Sequence, residues 1–159
     1  MIDIKQIFNN NEKLSAIDCV TATIPDWFGE NTTNEEIQAH VGTVAESPFF
    51  VAVDNDDVLG FIALKLHNKQ TAELSVMAVS GKSHGQGIGK KLIARCEQYC
   101  IEHNISYFTV KTVAESDGNE VYKSTRKFYE NLGFIPIEIF PDFWGEGLPC
   151  VYSIKRLEK

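Results

Sequence analysis

The sequence lacks the features that mark membrane, fibrous or disordered proteins. Among its 159 residues, no apolar run approaches the roughly 18–20 residues that a membrane-spanning helix needs. Proline is scarce at 5 residues, and no low-complexity tract, linker or repeat divides the chain. Residues 1–6 have neither the basic start nor the apolar stretch of a signal peptide. We therefore expect a cytoplasmic globular protein without a membrane partner, folded as a single domain over residues 1–159.

The sequence also contains few cysteines and fewer basic than acidic residues. The four cysteines form no C-x-x-C pair, and Cys96 and Cys100 lie four residues apart, which on a helix favours core packing over zinc binding. We therefore expect no metal. Lysine and arginine total 15 against 22 acidic residues, a formal charge of −7. A surface of this sign disfavours nucleic acid and tolerates cationic partners such as amines.

What is present is an alternation of strand and helix patterns. Short turns between the middle segments favour antiparallel hairpins, and the whole order predicts an α/β (α+β type) fold with a mixed sheet. Strands are predicted over 2–7, 49–53, 58–66, 72–79, 105–110, 134–140 and 150–154. Helices are predicted over 12–23, 88–103 and 121–132, with a further short helix capped by Thr33 and closed by Pro48.

A glycine-rich loop carries the clearest chemical signal. Residues 80–92, Ser-Gly-Lys-Ser-His-Gly-Gln-Gly-Ile-Gly-Lys-Lys-Leu, lie between a predicted strand and a predicted helix. Glycine lets backbone approach a ligand closely, and the first N–H groups of a helix favour phosphate. Lys82, Lys90 and Lys91 add positive charge to an otherwise acidic chain. The loop therefore predicts an anion site.

Two common nucleotide motifs do not fit this loop. A P-loop ending at Gly81-Lys82-Ser83 would need its first glycine where Val76 stands. A G-x-G-x-x-G motif would need a third glycine where Lys90 or Leu92 stands. These mismatches disfavour nucleotide hydrolysis and dinucleotide redox chemistry.

Two other patterns resemble signatures of the GNAT N-acetyltransferase superfamily. The run His84-Gly85-Gln86-Gly87-Ile88-Gly89 resembles its pyrophosphate loop, [Gln/Arg]-x-x-Gly-x-[Gly/Ala], with His84 at the usual Arg or Gln position. Further along, Phe128-Tyr129 followed by Gly133-Phe134 resembles its Phe-Tyr-x-x-x-Gly-Phe helix end. The resemblance is sharpest from Glu73 to Phe134. It implies a mostly antiparallel central sheet of about seven strands flanked by about four helices.

The resemblance also implies roles for particular residues. Acetyl-CoA would be the co-substrate, with Tyr129 as the acid that protonates its departing sulfur and Glu73 as a base acting through water. A carboxylate beside an apolar strand can have its pKa raised by desolvation, which suits a base. The alternative for Glu73 is a solvated carboxylate at a strand start. The implied cofactor-binding residues are Met77, Ala78, Val79, His84, Gly85, Gln86, Gly87, Ile88, Gly89, Lys90 and Tyr129.

The acceptor is implied only as a primary amine of a small molecule or peptide. By resemblance it would be contacted by Trp27, Phe28 and Glu30, and by Phe143 and Trp144. Aromatic walls with carboxylates suit a cation. A hydrophobic lid or a dimer contact explains each tryptophan equally well, and a homodimer is common among such small enzymes. The rival functions are a non-catalytic acyl-CoA-binding or sensor module, and transfer of a longer acyl group.

Overall fold

The structure, a computed structural model, describes residues 1–25, 46–116 and 120–158. Short 3₁₀ turns lie at Gly81–Ser83 and Glu120–Tyr122. In chain order the strands and helices are β1 (Ile2–Gln6), α1 (Asn10–Thr21), β2 (Phe49–Asp54), β3 (Asp57–Leu66), β4 (Thr71–Val79), α2 (Ile88–Glu102), β5 (Tyr107–Val113), α3 (Lys123–Asn131), β6 (Ile135–Phe140) and β7 (Cys150–Arg156).

The strands form one seven-stranded sheet in the order β1-β2-β3-β4-β5-β7-β6. The pairs β1–β2, β2–β3, β5–β7 and β6–β7 are antiparallel. The pair β4–β5 is parallel, from Thr71 opposite Tyr107 to Leu74 opposite Val110. A parallel pair needs a crossover, and α2 supplies it. The predicted mixed, mostly antiparallel sheet is therefore confirmed.

The predicted elements are found with shifted ends. Helix α1 begins two residues earlier than predicted, because the Asn9 side chain accepts a hydrogen bond from the Glu12 amide at 3.1 Å. Strand β5 begins two residues later and runs on to Val113, since β7 continues as its antiparallel partner as far as Cys150. The described residues contain three helices. The predicted helix after Thr33 lies outside them.

The chain divides into two compact units, each with its own packing. Unit 1 comprises Met1–Leu66 and Ser75–Tyr99, and unit 2 comprises His67–Leu74 and Cys100–Lys159, so that β4 contributes to both. In unit 1, Ile17 and Val20 of α1 are fully buried, together with the stacked rings of Phe49 and Phe61 at 5.6 Å. The single-domain organisation stays a prediction.

In unit 2 the packing centres on aromatic edges. The Phe134 ring meets Phe108 at 5.5 Å and Tyr129 at 5.6 Å, each close to perpendicular. These contacts fix the end of α3 against β5. Within the described residues, no helix has both the length and the apolar character needed to cross a membrane.

Candidate active site

The glycine loop has the backbone geometry of a ligand cradle. Gly85 and Gly87 have φ values of 80° and 76°, which only glycine adopts at little cost. A Cβ atom at either position would meet no atom of the described residues within 4 Å, so they leave the space beside the loop open. The Gly87 carbonyl accepts from the Lys91 amide at 3.1 Å and begins α2. The next amides, at residues 88–90, therefore have no partner within the helix.

Hydrogen bonds hold this loop in unit 1. The Ser80 amide donates to the Leu59 carbonyl at 2.8 Å, and the Gly81 amide donates to Thr23 Oγ1 at 3.0 Å. His84, at the signature's Arg or Gln position, is exposed, and its Nε2 donates to the Val79 carbonyl at 2.8 Å. His84 therefore braces the loop against the end of β4.

The other residues predicted to bind the cofactor differ in their burial. Gln86 and Lys90 are exposed, Gly89 is half-buried and Ile88 is buried in unit 1. On β4, Ala78 is buried, whereas Met77 and Val79 are half-buried. The parallel pairing of β4 with β5 covers Thr71–Leu74, and β4 continues for five residues beyond it. This extension carries Met77, Ala78 and Val79, three of the residues predicted to bind the cofactor.

Glu73 lies in a cluster of charged side chains in unit 2. Its side chain is nearly buried, and Oε1 lies 2.7 Å from His67 Nε2 and 3.1 Å from Lys111 Nζ. The register places Glu73 opposite Thr109, and alternation on β5 brings Lys111 to the same face of the sheet. Glu73 is therefore a carboxylate paired with two basic side chains. The alternative that it is a solvated carboxylate at the start of a strand is wrong.

Lys111 links this cluster to two aromatic rings. Its ammonium lies 5.5 Å from the ring centroid of Phe143 and 5.5 Å from that of Tyr152. Phe143 also meets Trp144 edge-on at 5.1 Å, and both rings are partly exposed. The Phe143 ring thus contacts a cation, but this cation is the Lys111 side chain of the same protein and not an acceptor amine. Lys111 was not among the residues predicted from the sequence.

The predicted acceptor residues fall into two groups. Trp27, Phe28 and Glu30 lie outside the described residues. Phe143 and Trp144 lie in the connection between β6 and β7, beside Lys111. Their roles stay predictions.

A cavity of about 370 Å³ opens beside this cluster. Two of its lining residues, His67 and Lys111, carry basic side chains, and no acidic residue lines it within the part of the chain that the structure describes. The uncharged lining residues are Asn68, Thr71, Tyr107, Thr109, Tyr152 and Ile154. The volume falls within the usual range for small-molecule sites, about 300–1,000 Å³.

Tyr129 is held by the end of α3. The Gly133 φ of 96° turns the chain, and the Phe134 amide donates to the Tyr129 carbonyl at 3.1 Å. Phe134 therefore folds back onto the Tyr129 ring, which explains the Phe-Tyr-x-x-x-Gly-Phe pattern. Tyr129 is 8% exposed, and burial raises the pKa of its phenol above the usual range. The hydroxyl is thus protonated at neutral pH.

Sequence comparison agrees with this architecture. The family model described as "Acetyltransferase (GNAT) domain" matches residues 45–136, more than half of the chain. The chain belongs to this family. The resemblance predicted from the two signatures is thereby confirmed, and the protein contains a GNAT-family domain.

Known members of the family show the same fold. A GNAT-family putative acetyltransferase from Desulfovibrio desulfuricans superposes with a TM-score of 0.80 at 18% identity, covering 99% of this chain and 100% of that chain. A GNAT acetyltransferase from Elizabethkingia anophelis, solved with acetyl-CoA bound, gives a TM-score of 0.74 at 17% identity, covering 98% of both chains.

One relative is closer in sequence but much longer. N-acetylaspartate synthetase from Rattus norvegicus is 32% identical over 105 residues, which is 65% of this chain and 33% of the relative. The chain thus spans about a third of the length of the relative it matches.

Proposed function

We propose that this GNAT protein is an N-acetyltransferase that moves the acetyl group of acetyl-CoA directly to a primary amine of a small molecule or peptide. The observation that carries the proposal is the loop at Gly85 and Gly87, whose left-handed backbone opens onto space that the described part of the chain leaves free at the start of α2. Amides without helical partners, with Lys82, Lys90 and Lys91 nearby in sequence, suit a pyrophosphate.

The remaining donor contacts are assigned to backbone rather than side chains. The amide of Met77 would polarise the thioester carbonyl, and backbone groups of Met77 and Val79 would bind the pantetheine arm. The half-buried position of both residues on the β4 extension supports this role. Since His84 already bonds to the Val79 carbonyl, its contribution is to shape the loop.

The transfer needs a neutral amine and a stabilised leaving thiolate. As the amine nitrogen bonds to the carbonyl carbon, the C–S bond breaks and negative charge appears on sulfur. Tyr129 would donate a hydrogen bond to that sulfur, and its pKa, raised by burial, keeps the donor hydrogen in place. The same shift makes complete proton transfer from Tyr129 harder. A hydrogen-bond donor is therefore its best-supported role.

Glu73 would accept the proton that the amine loses. Its Oε1 already contacts His67, which lines the cavity, so the proton would pass through His67 or a water beside it. Lys111 balances the charge of the carboxylate while the amine is bound. Glu73 and His67 thus act as a relay between the cavity and solvent.

The test is a panel of primary amines with acetyl-CoA, read by release of free CoA thiol. L-aspartate belongs in the panel because the rat relative is named for N-acetylaspartate. Exposed Cys19 would add a constant thiol background, so a no-amine control is subtracted. We expect amine-dependent release with at least one acceptor. Absence of release with every amine, despite bound acetyl-CoA, would favour the rival sensor module.

The identity of the acyl group is tested separately. We expect acetyl-CoA to give a higher kcat/KM than propionyl-CoA or succinyl-CoA, because a pocket shaped for acetyl excludes larger groups. A preference for succinyl-CoA would instead identify transfer of a longer acyl group.

A further inference from the structure

The cavity beside Lys111 differs in charge from the protein as a whole. The chain carries a formal charge of −7, yet the eight described residues that line this cavity include two basic side chains and no carboxylate. Glu73, the nearby acid, is buried and is not one of these eight residues. An anion in the cavity would therefore lie beside His67 and Lys111.

We infer that this cavity is a subsite for the carboxylate of the acceptor, so that the preferred acceptor is an amine that also carries a negative charge. The inference rests on the proposed acetyltransfer and names its acceptor class. It replaces the expectation of a cationic acceptor drawn from the aromatic residues. Lys111 and His67 are the residues that would contact the carboxylate.

Lys111 is fixed in place before any ligand arrives. One side of its ammonium bonds to Glu73 at 3.1 Å, and the rings of Phe143 and Tyr152 lie 5.5 Å away. A flexible surface lysine loses rotamer freedom when it binds an anion, whereas Lys111 has already lost much of it. Contacts to a ring face also leave an ammonium able to pair with a carboxylate.

The arrangement of the cluster favours an added anion. Glu73 is a single carboxylate shared by Lys111 and His67, and both of these residues also line the cavity. A bound carboxylate would be a second acceptor for the Lys111 ammonium. A polyamine would instead place a second cation beside Lys111, where the described lining residues offer it no carboxylate, which costs affinity.

The volume of the cavity and its uncharged lining residues indicate the size and type of acceptor. A volume of about 370 Å³ accommodates an amino acid or the end of a peptide. Asn68, Thr71 and Tyr107 supply further polar groups for a carboxylate or an amide. The acceptor class is therefore an amino acid or a short peptide with a free carboxylate.

The test uses matched pairs of acceptors that differ only in charge. L-aspartate is compared with L-asparagine, L-alanine with L-alaninamide, and spermidine serves as the cationic amine. We expect kcat/KM at least about 10-fold higher for each carboxylate than for its amide. The Lys111→Met variant should bring the ratio of kcat/KM for carboxylate over amide down to about 1, whatever its overall rate, whereas Lys111→Arg should retain the preference. Lys127→Met, on the exposed face of α3, is the control.

Removing Lys111 alone leaves Glu73 short of a partner and could lower stability. The double variant Glu73→Gln/Lys111→Met removes both charges and avoids that cost. Binding is therefore also measured by calorimetry with N-acetyl-L-aspartate and N-acetyl-L-asparagine, which needs no turnover. We expect the wild-type protein and the Lys127→Met variant to prefer the aspartate product, and the double variant to lose that preference.

The possible outcomes distinguish failure of the proposed subsite from failure of the proposed reaction. If no amine is acetylated but N-acetyl-L-aspartate still binds through Lys111, the reaction is wrong and the subsite stands. If acetylation proceeds with equal kcat/KM for carboxylates and amides, or best with spermidine, the subsite is overturned. An unchanged carboxylate preference in both Lys111→Met and the double variant would overturn it as well.

Discussion

Tyr129 and Lys111 are single residues whose surroundings determine their chemistry. The Tyr129 ring lies between the edges of Phe128 and Phe134, and burial keeps its hydroxyl protonated. Lys111 lies among a carboxylate and two rings, which keep its charge in one position. The sequence pattern around Gly133 pointed to Tyr129. No local pattern pointed to Lys111, because its contacts depend on the register between β4, β5 and β7.

Replacing Tyr129 with phenylalanine tests its role in the proposed reaction. The variant keeps the ring contacts and loses only the donor to the thiolate. We expect kcat to fall about 100-fold, the usual scale for one lost donor at a developing charge, with KM for acetyl-CoA within about 3-fold of wild type. Steady-state kinetics measure both values, with Tyr122→Phe as the control. An unchanged kcat would exclude the role.

The buried phenol also makes stability depend on alkaline pH. Because the pKa of Tyr129 is raised in the folded state, its contribution is fully present below the unfolded pKa of about 10 and is lost as pH rises further. Above pH 10, the free energy of unfolding of the wild-type protein should therefore fall by up to about 1.4 kcal/mol more per pH unit than that of Tyr129→Phe. Urea unfolding at pH 8 and pH 10.5 measures this difference. Equal losses in both proteins would contradict it.

At the scale of single elements, turn chemistry was the most informative signal. The turn between β2 and β3 was predicted from its Asp and Asn residues, and Asn55 indeed has a φ of 56°. The late start of β5 was missed although Asn104, with a φ of 60°, marks the turn after α2. The end of β5 at Val113 has no local signal, since it is set by the antiparallel pairing with β7.

The glycine loop provides a matched pair of substitutions. Gly87→Ala and Gly147→Ala place a side chain at nearly equal φ values, 76° and 73°, and in both cases no atom among the residues that the structure describes lies within 4 Å. The backbone strain of about 1–2 kcal/mol should therefore be similar in both variants. We expect only Gly87→Ala to weaken acetyl-CoA binding, by at least about 10-fold, as measured by calorimetry. Equal affinities in the two variants would argue against a cofactor role for the loop.

Over the whole molecule, negative charge and anion binding oppose each other. A chain with a formal charge of −7 repels a phosphate-bearing ligand at long range, while the lysines near the loop attract it at short range. The sequence predicted the fold class and the position of the glycine loop between β4 and α2, since both depend on contiguous patterns. The charged cluster around Glu73 escaped prediction because residues 38 positions apart form it.

Ligand binding should raise the stability of the entire chain. At about 100 times its dissociation constant, acetyl-CoA should add about 2.7 kcal/mol, which for a protein of this size is a rise in Tm of about 5–10 °C. Thermal unfolding with and without acetyl-CoA measures the shift, and adenosine at the same concentration, which lacks the pyrophosphate, is the control. A Tm that does not move would argue against acetyl-CoA as a ligand.

The ammonium of Lys111 brings together parts of the chain that are far apart in sequence, since its partners stand at positions 73, 143 and 152. The glycine loop, by contrast, occupies one short stretch. Under the proposed roles, mutations can change the Lys111 site and the glycine loop independently during evolution. A duplicated gene can change its acceptor through a substitution at any of several separated codons, such as those for residues 67, 111 and 152, while the codons for residues 80–92 stay untouched, so lineages can diversify in acceptor and keep the same acyl donor.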